Sequence, residues 1–306
     1  MKHEKGTEPL SGRDGFPSIS PLPTSAGHPA LPPGLTEEQT QTLRRALSQH
    51  PRGLLLDIDG TLSPIAPTPE AARLLPEVPA LLEHALARFE VVAAISGRGA
   101  ADARRMVGVP GLLYIGNHGL ERWLPGEDAP QVAPQARPYL AAIAQALDQA
   151  EQVLSAHLPG VFVERKGASG SIHTRRCAQP QRALQTTLET MRPITERLGL
   201  RLTQGRMIAE VRPPLALDKG TAVEGVVREH SLRSALYMGD DVTDIDAFRA
   251  LRHLRAEGVC AGLSVAVLHE EAPPALAAEA DFTLPAIEAV PAFLTWLIED
   301  EAAAGM

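Results

Sequence analysis

Lysine is scarce in this 306-residue chain: Lys2, Lys5, Lys166 and Lys219 stand against twenty-five arginines. Either codon bias leaves Lys166 and Lys219 as remnants, or they sit where a compact ammonium is wanted. Cysteine is scarcer still. Cys177 and Cys260 are too few for a disulfide framework or a zinc site, and they fit a reducing cytoplasm. No apolar run approaches the ~18–20 residues of a membrane span. The N-terminal charges have no apolar stretch behind them, so no secretory signal is expected. Positive charge is in deficit, with 29 Lys and Arg against 37 Asp and Glu and a net charge of −8. That balance argues against a general nucleic-acid or anionic-membrane surface, while leaving room for a locally basic pocket. What remains is ordinary for a globular chain: 44% hydrophobic and 22% charged residues, enough for one large domain or two modest ones.

Residues 1–35 hold seven Pro, five Gly and four Ser with little apolar periodicity, and read as a disordered tail that can be deleted without loss of catalysis. Thr36-Glu37-Glu38-Gln39 then has the form of a capping box opening a helix to about His50. The apolar run Gly53–Leu56 stops at Asp57 as a buried parallel strand would. Thr68-Pro69 looks like an N-cap followed by a first-turn proline. Helix, strand, helix and strand follow at about 78–89, 91–95, 100–107 and 112–115. This alternation predicts a parallel sheet covered by helices.

The middle of the chain differs. A long helical pattern over Arg137–His157 precedes strand-like 161–164 and 170–174, and a second helix over 181–198 precedes strand-like 200–203 and 207–211. Alternation resumes after Lys219. The expectation is an α/β core over 36–120 and 213–306, interrupted by an α+β insertion over 121–212.

Clustered aspartates carry the chemistry. Of thirteen, six fall in two short segments, Asp57/Asp59 and Asp240/Asp241/Asp244/Asp246. Such clusters are tolerated best around a cation or in water. Leu54-Leu55-Leu56-Asp57-Ile58-Asp59-Gly60-Thr61 puts a carboxylate just past an apolar strand, where open α/β sheets place their ligands. A bare D-x-D also suits a solvated loop or a nucleotide-sugar metal site. A calcium loop is excluded, because its glycine belongs at position six and the loop should follow a helix. Ser96-Gly97-Arg98 repeats the plan: strand, small hydroxyl, glycine, helix, an anion site if functional and a plain strand end if not. Lys219-Gly220-Thr221 opens a helix from which an ammonium can reach a phosphate and a carboxylate, or simply water. Met238-Gly239-Asp240-Asp241-Val242-Thr243-Asp244 is the second strand ending in carboxylates, suited to Mg2+ with phosphate oxygens and waters. The macrodipole alone would account for Asp241 or Asp244 but not the whole run.

These four motifs in order resemble the haloacid dehalogenase (HAD) superfamily of phosphotransferases. DIDGTLSPIAPTPEAARL, ISGR, IGNHGLE, VERKG, EVRPPLALDKGTA and GDDVTDIDAF are similar to the trehalose-6-phosphate phosphatases over about 250 residues. The resemblance implies a Rossmannoid parallel-sheet core with an inserted cap that reads the sugar. It implies Asp57 as nucleophile, Asp59 as acid and base, and Ser96 and Lys219 on the phosphate. Gly97, Arg98, Asn117, His118, Glu164, Lys166 and Glu210 would meet substrate. Asp57, the Asp59 carbonyl and Asp240 would bind Mg2+, with Asp241 and Asp244 ordering its waters. Partners implied are a small sugar phosphate and, for association, a trehalose-6-phosphate synthase. Arg165 and Ile245 depart from the family pattern, where acidic residues are common, and Arg165 bears on the sugar site. Hydrolysis of another sugar phosphate such as sucrose 6-phosphate, and a non-enzymatic regulatory module, are the competing readings.

Overall fold

The structure is a computed structural model that describes residues 31–300 except Pro67, Arg206 and Glu271. Of the tail expected over 1–35, residues 1–30 lie outside the described residues. The large sheet has eight strands: β1 (Arg52–Leu56), β2 (Val91–Ile95), β3 (Leu113–Gly116), β4 (Glu121–Trp123), β5 (Gln131–Val132), β10 (Ser234–Gly239), β11 (Ala261–Val267) and β12 (Phe282–Leu284). The small sheet has four, β6 (Phe162–Arg165), β7 (Gly170–His173), β8 (Arg201–Gly205) and β9 (Ile208–Arg212). Helices are α1 (Glu37–Leu47), α2 (Val78–Ala85), α3 (Ala100–Val107), α4 (Leu140–Leu154), α5 (Pro180–Arg197), α6 (Lys219–Glu229), α7 (Val242–Ala256), α8 (Pro274–Glu279) and α9 (Val290–Glu299).

The large sheet runs β12-β11-β10-β1-β2-β3-β4-β5, parallel through β3 and antiparallel at its last two strands. Side chains alternate across it. Leu54 and Leu56 pack with α1, α2 and α9, whereas Leu55 packs with α6, α7 and α8. The strands are buried on both faces, which is why they read as continuous apolar runs. The two strands carrying the aspartate motifs are direct neighbours, with Leu56 opposite Met238. Both acidic segments therefore emerge side by side at the carboxyl end of the parallel strands.

The capping box at α1 forms as its sequence predicts: Gln39 N donates to Thr36 Oγ1 at 3.3 Å, and Thr36 N donates to Gln39 Oε1 at 2.8 Å. Thr68 does not cap a full helix. Only a single 3-10 turn forms over Pro69–Ala71, and Pro76, which lacks an N–H, stops the chain from continuing helically into α2. The long middle helix begins at Leu140 rather than Arg137, because Pro138 holds the preceding turn in 3-10 form. Residues 121–132 pair onto the large sheet as β4 and β5, where the insertion was expected to have begun already. Two- and three-residue strands carry no period for a sequence to show.

The tail expectation also shifts at its inner end. Leu35 is 7% exposed and belongs to the core beneath α1 and α9. Leu35→Ala should lower unfolding stability by about 2 kcal/mol through the cavity it leaves, with turnover unchanged. An unaltered denaturation midpoint would show that this contact contributes nothing.

In the small sheet, Val163, Ile172, Ala209 and Val211 point at α4 and α5 and close a separate core. Period two then sends the intervening residues to the opposite face. Glu164, Ser171 and Glu210 align across three strands in one rung, and Phe162, His173 and Ile208 in the next. That face looks onto the carboxyl ends of β1 and β2.

Candidate active site

Between the two sheets lies a cleft of about 460 Å³, within the range of small-ligand sites. Asp57, Asp59, Ser96, Gly97, Arg98, His118, Lys219 and Asp241 line its core wall, and Glu164, Lys166 and Glu210 its cap wall. Asn117, Asp240 and Asp244 lie behind this lining.

Asp57 continues β1, its N–H donating to Met238 O at 2.9 Å. Its carboxylate accepts from Lys219 Nζ at 2.7 Å, and the same ammonium donates to Asp244 Oδ1 at 2.6 Å. Lys219 stands in the first turn of α6, presented by the capping box in which Asp218 Oδ1 accepts from Thr221 N at 2.7 Å. It is buried, yet its pKa is raised: Asp244 and Asp57 outweigh the desolvation that favours the neutral amine. Asp244 is fully engaged. Tyr237 Oη donates to Oδ1 at 2.6 Å, and the backbone N–H groups of Asp240 and Asp241 donate to Oδ2 at 3.0 and 2.9 Å. Asp240 accepts from Thr61 Oγ1 at 3.1 Å and has His269 Nε2 at 3.2 Å.

Gly60 shows how tightly this corner is built. Its φ is +89°, and a Cβ there would fall 1.9 Å from Asp240 Oδ2. Only glycine lets the D-x-D-G-T turn pass so close to the second acidic segment.

Ligand atoms of Asp57, Asp240 and Asp244 lie within 4.8 Å of one another, all buried. Burial pushes Asp57 up to about 7 despite Lys219, and pushes Asp240 up to about 10 with Asp57 and Asp244 adding to it. Lys219 contacts two of these three buried carboxylates, Asp57 and Asp244. The excess negative charge and the oxygen-only donor set fit a hard divalent cation.

Arg98 and Asn117, both expected to meet substrate, hold protein partners here, although Arg98 also lines the cleft. Arg98 donates through Nε and Nη2 to both oxygens of Asp59 at 2.7 Å, through Nη1 to Asp102 at 2.7 Å, and through Nη2 to Pro69 O at 3.1 Å. This bidentate fork orients Asp59. Asn117 is buried and bonds the cap loop through both ends of its amide. Ser96 lies beneath the cleft, its Oγ accepting from Arg98 N at 3.2 Å. A Cβ at Gly97 would lie 2.7 Å from His118 Nε2, so the glycine makes space for that ring. Burial holds the His118 imidazole well below its usual pKa, helped by Lys219, Arg212 and Lys166, so it faces the cleft neutral.

On the cap wall, Lys166 Nζ is 3.7 Å from both Glu164 and Glu210 and donates to Gly97 O at 3.2 Å. Burial would raise Glu164, but the hydrogen bond with His173 and the charge of Lys166 hold it below the usual carboxylate range. Arg165 turns away from the cleft to Asp148 and Glu151 on α4, each at 2.8 Å, so its departure from the pattern does not touch the cleft wall. Ile245 is buried in the core. Phe162, His173, Arg175 and Arg176 also line the cleft. For Phe162 and His173 the period-two register with Glu164 was the available signal.

Comparison with known proteins agrees with this architecture. The trehalose-phosphatase family model matches residues 55–285. A trehalose-phosphate phosphatase of Mycobacterium avium (strain 104) is 37% identical over 223 residues, covering 69% of this chain and 54% of its own length. This chain thus spans about half the length of the curated relatives it matches. The C-terminal domain of a trehalose-6-phosphate phosphatase from C. albicans superposes with a TM-score of 0.71 at 21% identity, covering 88% of this chain and 98% of that one. The C-terminal domain of a trehalose synthase regulatory protein from Candida albicans does so at 0.59 and 16% identity, covering 86% and 99%. At these identities the superpositions establish a shared fold, the HAD-like α/β core with its α+β cap. With the family match spanning both halves of the core and the cap between them, the chain belongs to the trehalose-phosphatase family.

Proposed function

We propose that this protein hydrolyses trehalose 6-phosphate to trehalose and phosphate, with Mg2+ and through an aspartyl-phosphate. The observation that carries this reading is the pairing of two walls in one cleft. Asp57, Asp59, Ser96 and Lys219 face it from the core, and Glu164, Lys166 and Glu210 from the cap. The relatives named trehalose-phosphate phosphatase support the choice of sugar. The cap is taken to span about 133–212, a reading supported by the pairing of β4 and β5 with the large sheet.

Phosphate monoesters resist hydrolysis because the transition state must be held in line while its spread negative charge is neutralised. Asp57 attacks phosphorus as the sugar oxygen departs, and Lys219 and Ser96 hold the phosphoryl oxygens. Asp59 gives the departing oxygen its proton, then takes one from the water that attacks phosphorus of the aspartyl-phosphate, releasing phosphate and the Asp57 carboxylate. Its side chain is 37% exposed, so it can turn from the Arg98 fork toward the leaving group. His118, neutral and beside Ser96, lines the cleft and offers a ring nitrogen to substrate hydroxyls, while its Nδ1 is buried. Asp57, Asp240 and the Asp59 carbonyl would hold Mg2+, with Asp241 and Asp244 around it, adding positive charge on the phosphoryl oxygens.

The fold alone does not decide for an enzyme, since a regulatory-protein domain shares it. Asp57, Asp59 and Lys219, all in place here, favour catalysis. That same neighbour is what supports a trehalose-6-phosphate synthase as partner. Two free, buried cysteines accord with a reducing cytoplasm. Among the described residues, no helix is long and apolar enough to cross a membrane.

A phosphate-release panel tests the assignment. Trehalose 6-phosphate should be turned over far faster than sucrose 6-phosphate, glucose 6-phosphate or mannose 6-phosphate. Chelation with EDTA should stop the reaction and Mg2+ should restore it. Preference for another sugar would overturn the substrate, and full activity in exhaustively chelated protein would overturn the metal.

A further inference from the structure

The tip of the cap hairpin between β6 and β7, residues Lys166-Gly167-Ala168-Ser169, is tied to the core by hydrogen bonds with two buried side chains. Glu121, the first residue of β4, is 7% exposed. One of its carboxylate oxygens accepts from Ala168 N at 3.1 Å, and the other accepts from Ala100 N at the start of α3 at 3.0 Å. Asn117 Nδ2 donates to Lys166 O at 2.7 Å, and its Oδ1 accepts from Ser169 Oγ at 2.6 Å. Ala168 is buried against Leu120 and Ala136. Gly167 has φ +73°, and a Cβ on it would come 2.7 Å from Glu121 Oε1, so the tip can approach this carboxylate only with glycine there.

We infer that Glu121 and Asn117 form a clasp that sets the position of Lys166, and are positioning residues for recognition of the sugar. The proposal rests on the reading that Lys166 meets substrate. The carboxylate at 121 has a specific reason. It must accept two N–H groups and donate nothing, which a carboxylate does and a carboxamide cannot. One of those N–H groups is an orphan donor at a helix N-terminus, where negative charge is favoured. That helix directly follows Ser96-Gly97-Arg98. The same side chain thus ties the phosphate-side loop to the cap tip, and a cap displaced from the core loses both the clasp and the contact of Lys166 with Gly97.

Glu121→Gln nearly conserves volume but turns an NH2 group toward one of the two N–H donors. It should lower kcat/KM for trehalose 6-phosphate about tenfold, mainly through KM, with turnover of p-nitrophenyl phosphate changed less than about twofold. Added to Lys166→Ala, it should cost little more than Lys166→Ala alone, since both act through one group. Amide exchange over 166–170 should accelerate. Asn117→Asp, which sets an oxygen against Lys166 O, should behave alike and serves if Glu121→Gln fails to fold. Equal losses on both substrates, or losses that multiply with Lys166→Ala, would overturn the proposal by showing that Glu121 acts on the fold at large. Unchanged turnover in Lys166→Ala would instead defeat the sugar reading of the cap. Exchange over 166–170 then judges the clasp alone, and undiminished protection in Glu121→Gln overturns it.

Discussion

Asp57→Asn is expected to abolish turnover of trehalose 6-phosphate, by at least ~10⁴-fold in kcat, while the protein stays folded. The carboxamide keeps an oxygen to accept from Lys219 and removes one of three crowded buried carboxylates, so the native packing has no reason to fail. What is lost is the anionic oxygen that would bond to phosphorus. Circular dichroism and a thermal melt check the fold, and phosphate release checks the chemistry. Rapid quenching of the parent enzyme with labelled substrate should trap the phosphoryl group on Asp57 alone. Normal turnover in the variant, or label on another carboxylate, removes Asp57 as nucleophile. Asp59→Asn should also be severely impaired but retain substrate, because Arg98 and the remaining walls still shape the cleft.

The second large effect concerns the cap. Alanine at Glu164, Lys166 or Glu210 should each depress kcat/KM for trehalose 6-phosphate by at least ~100-fold, equivalent to two charged hydrogen bonds at ~1.5 kcal/mol apiece. The bland alternative is that the three merely pair with one another, an arrangement worth ~0–1 kcal/mol on a surface. Their geometry argues otherwise. Both carboxylates stand 3.7 Å from the ammonium, long for direct hydrogen bonds, and all three line the cleft with side chains no more than 20% exposed. On the proposed reading they meet hydroxyls of the disaccharide, whose binding would exclude water and strengthen every charged contact. A small aryl phosphate cannot reach the cap and should lose much less. Equal losses on both substrates would place these residues in the fold or the chemistry and reopen the choice of sugar.

The strand-end motifs were legible because their signals are local. An apolar run that stops at an aspartate, a capping box at Thr36, and a helix opening at Lys219 depend on neighbours a few residues away, and all three stand where the sequence puts them. Glu164 and Lys166 could be placed on one face because period two in a strand fixes which residues share it, whereas Glu210, on another strand, was pointed to by the family resemblance. Tertiary structure alone decided the rest. It turned Arg98 onto Asp59, 39 positions away, and Asn117 onto the cap loop. It filled both oxygens of Asp244 and made Glu121 a bridge between α3 and the cap tip. It moved 121–132 into the large sheet and buried Leu35. A buried polar group must find partners wherever folding brings them, and a two-residue strand exists only because another strand accepts its hydrogen bonds. By itself the sequence determined the elements and the charged residues at their ends; which of those groups pair with one another was decided by the distances that packing imposes.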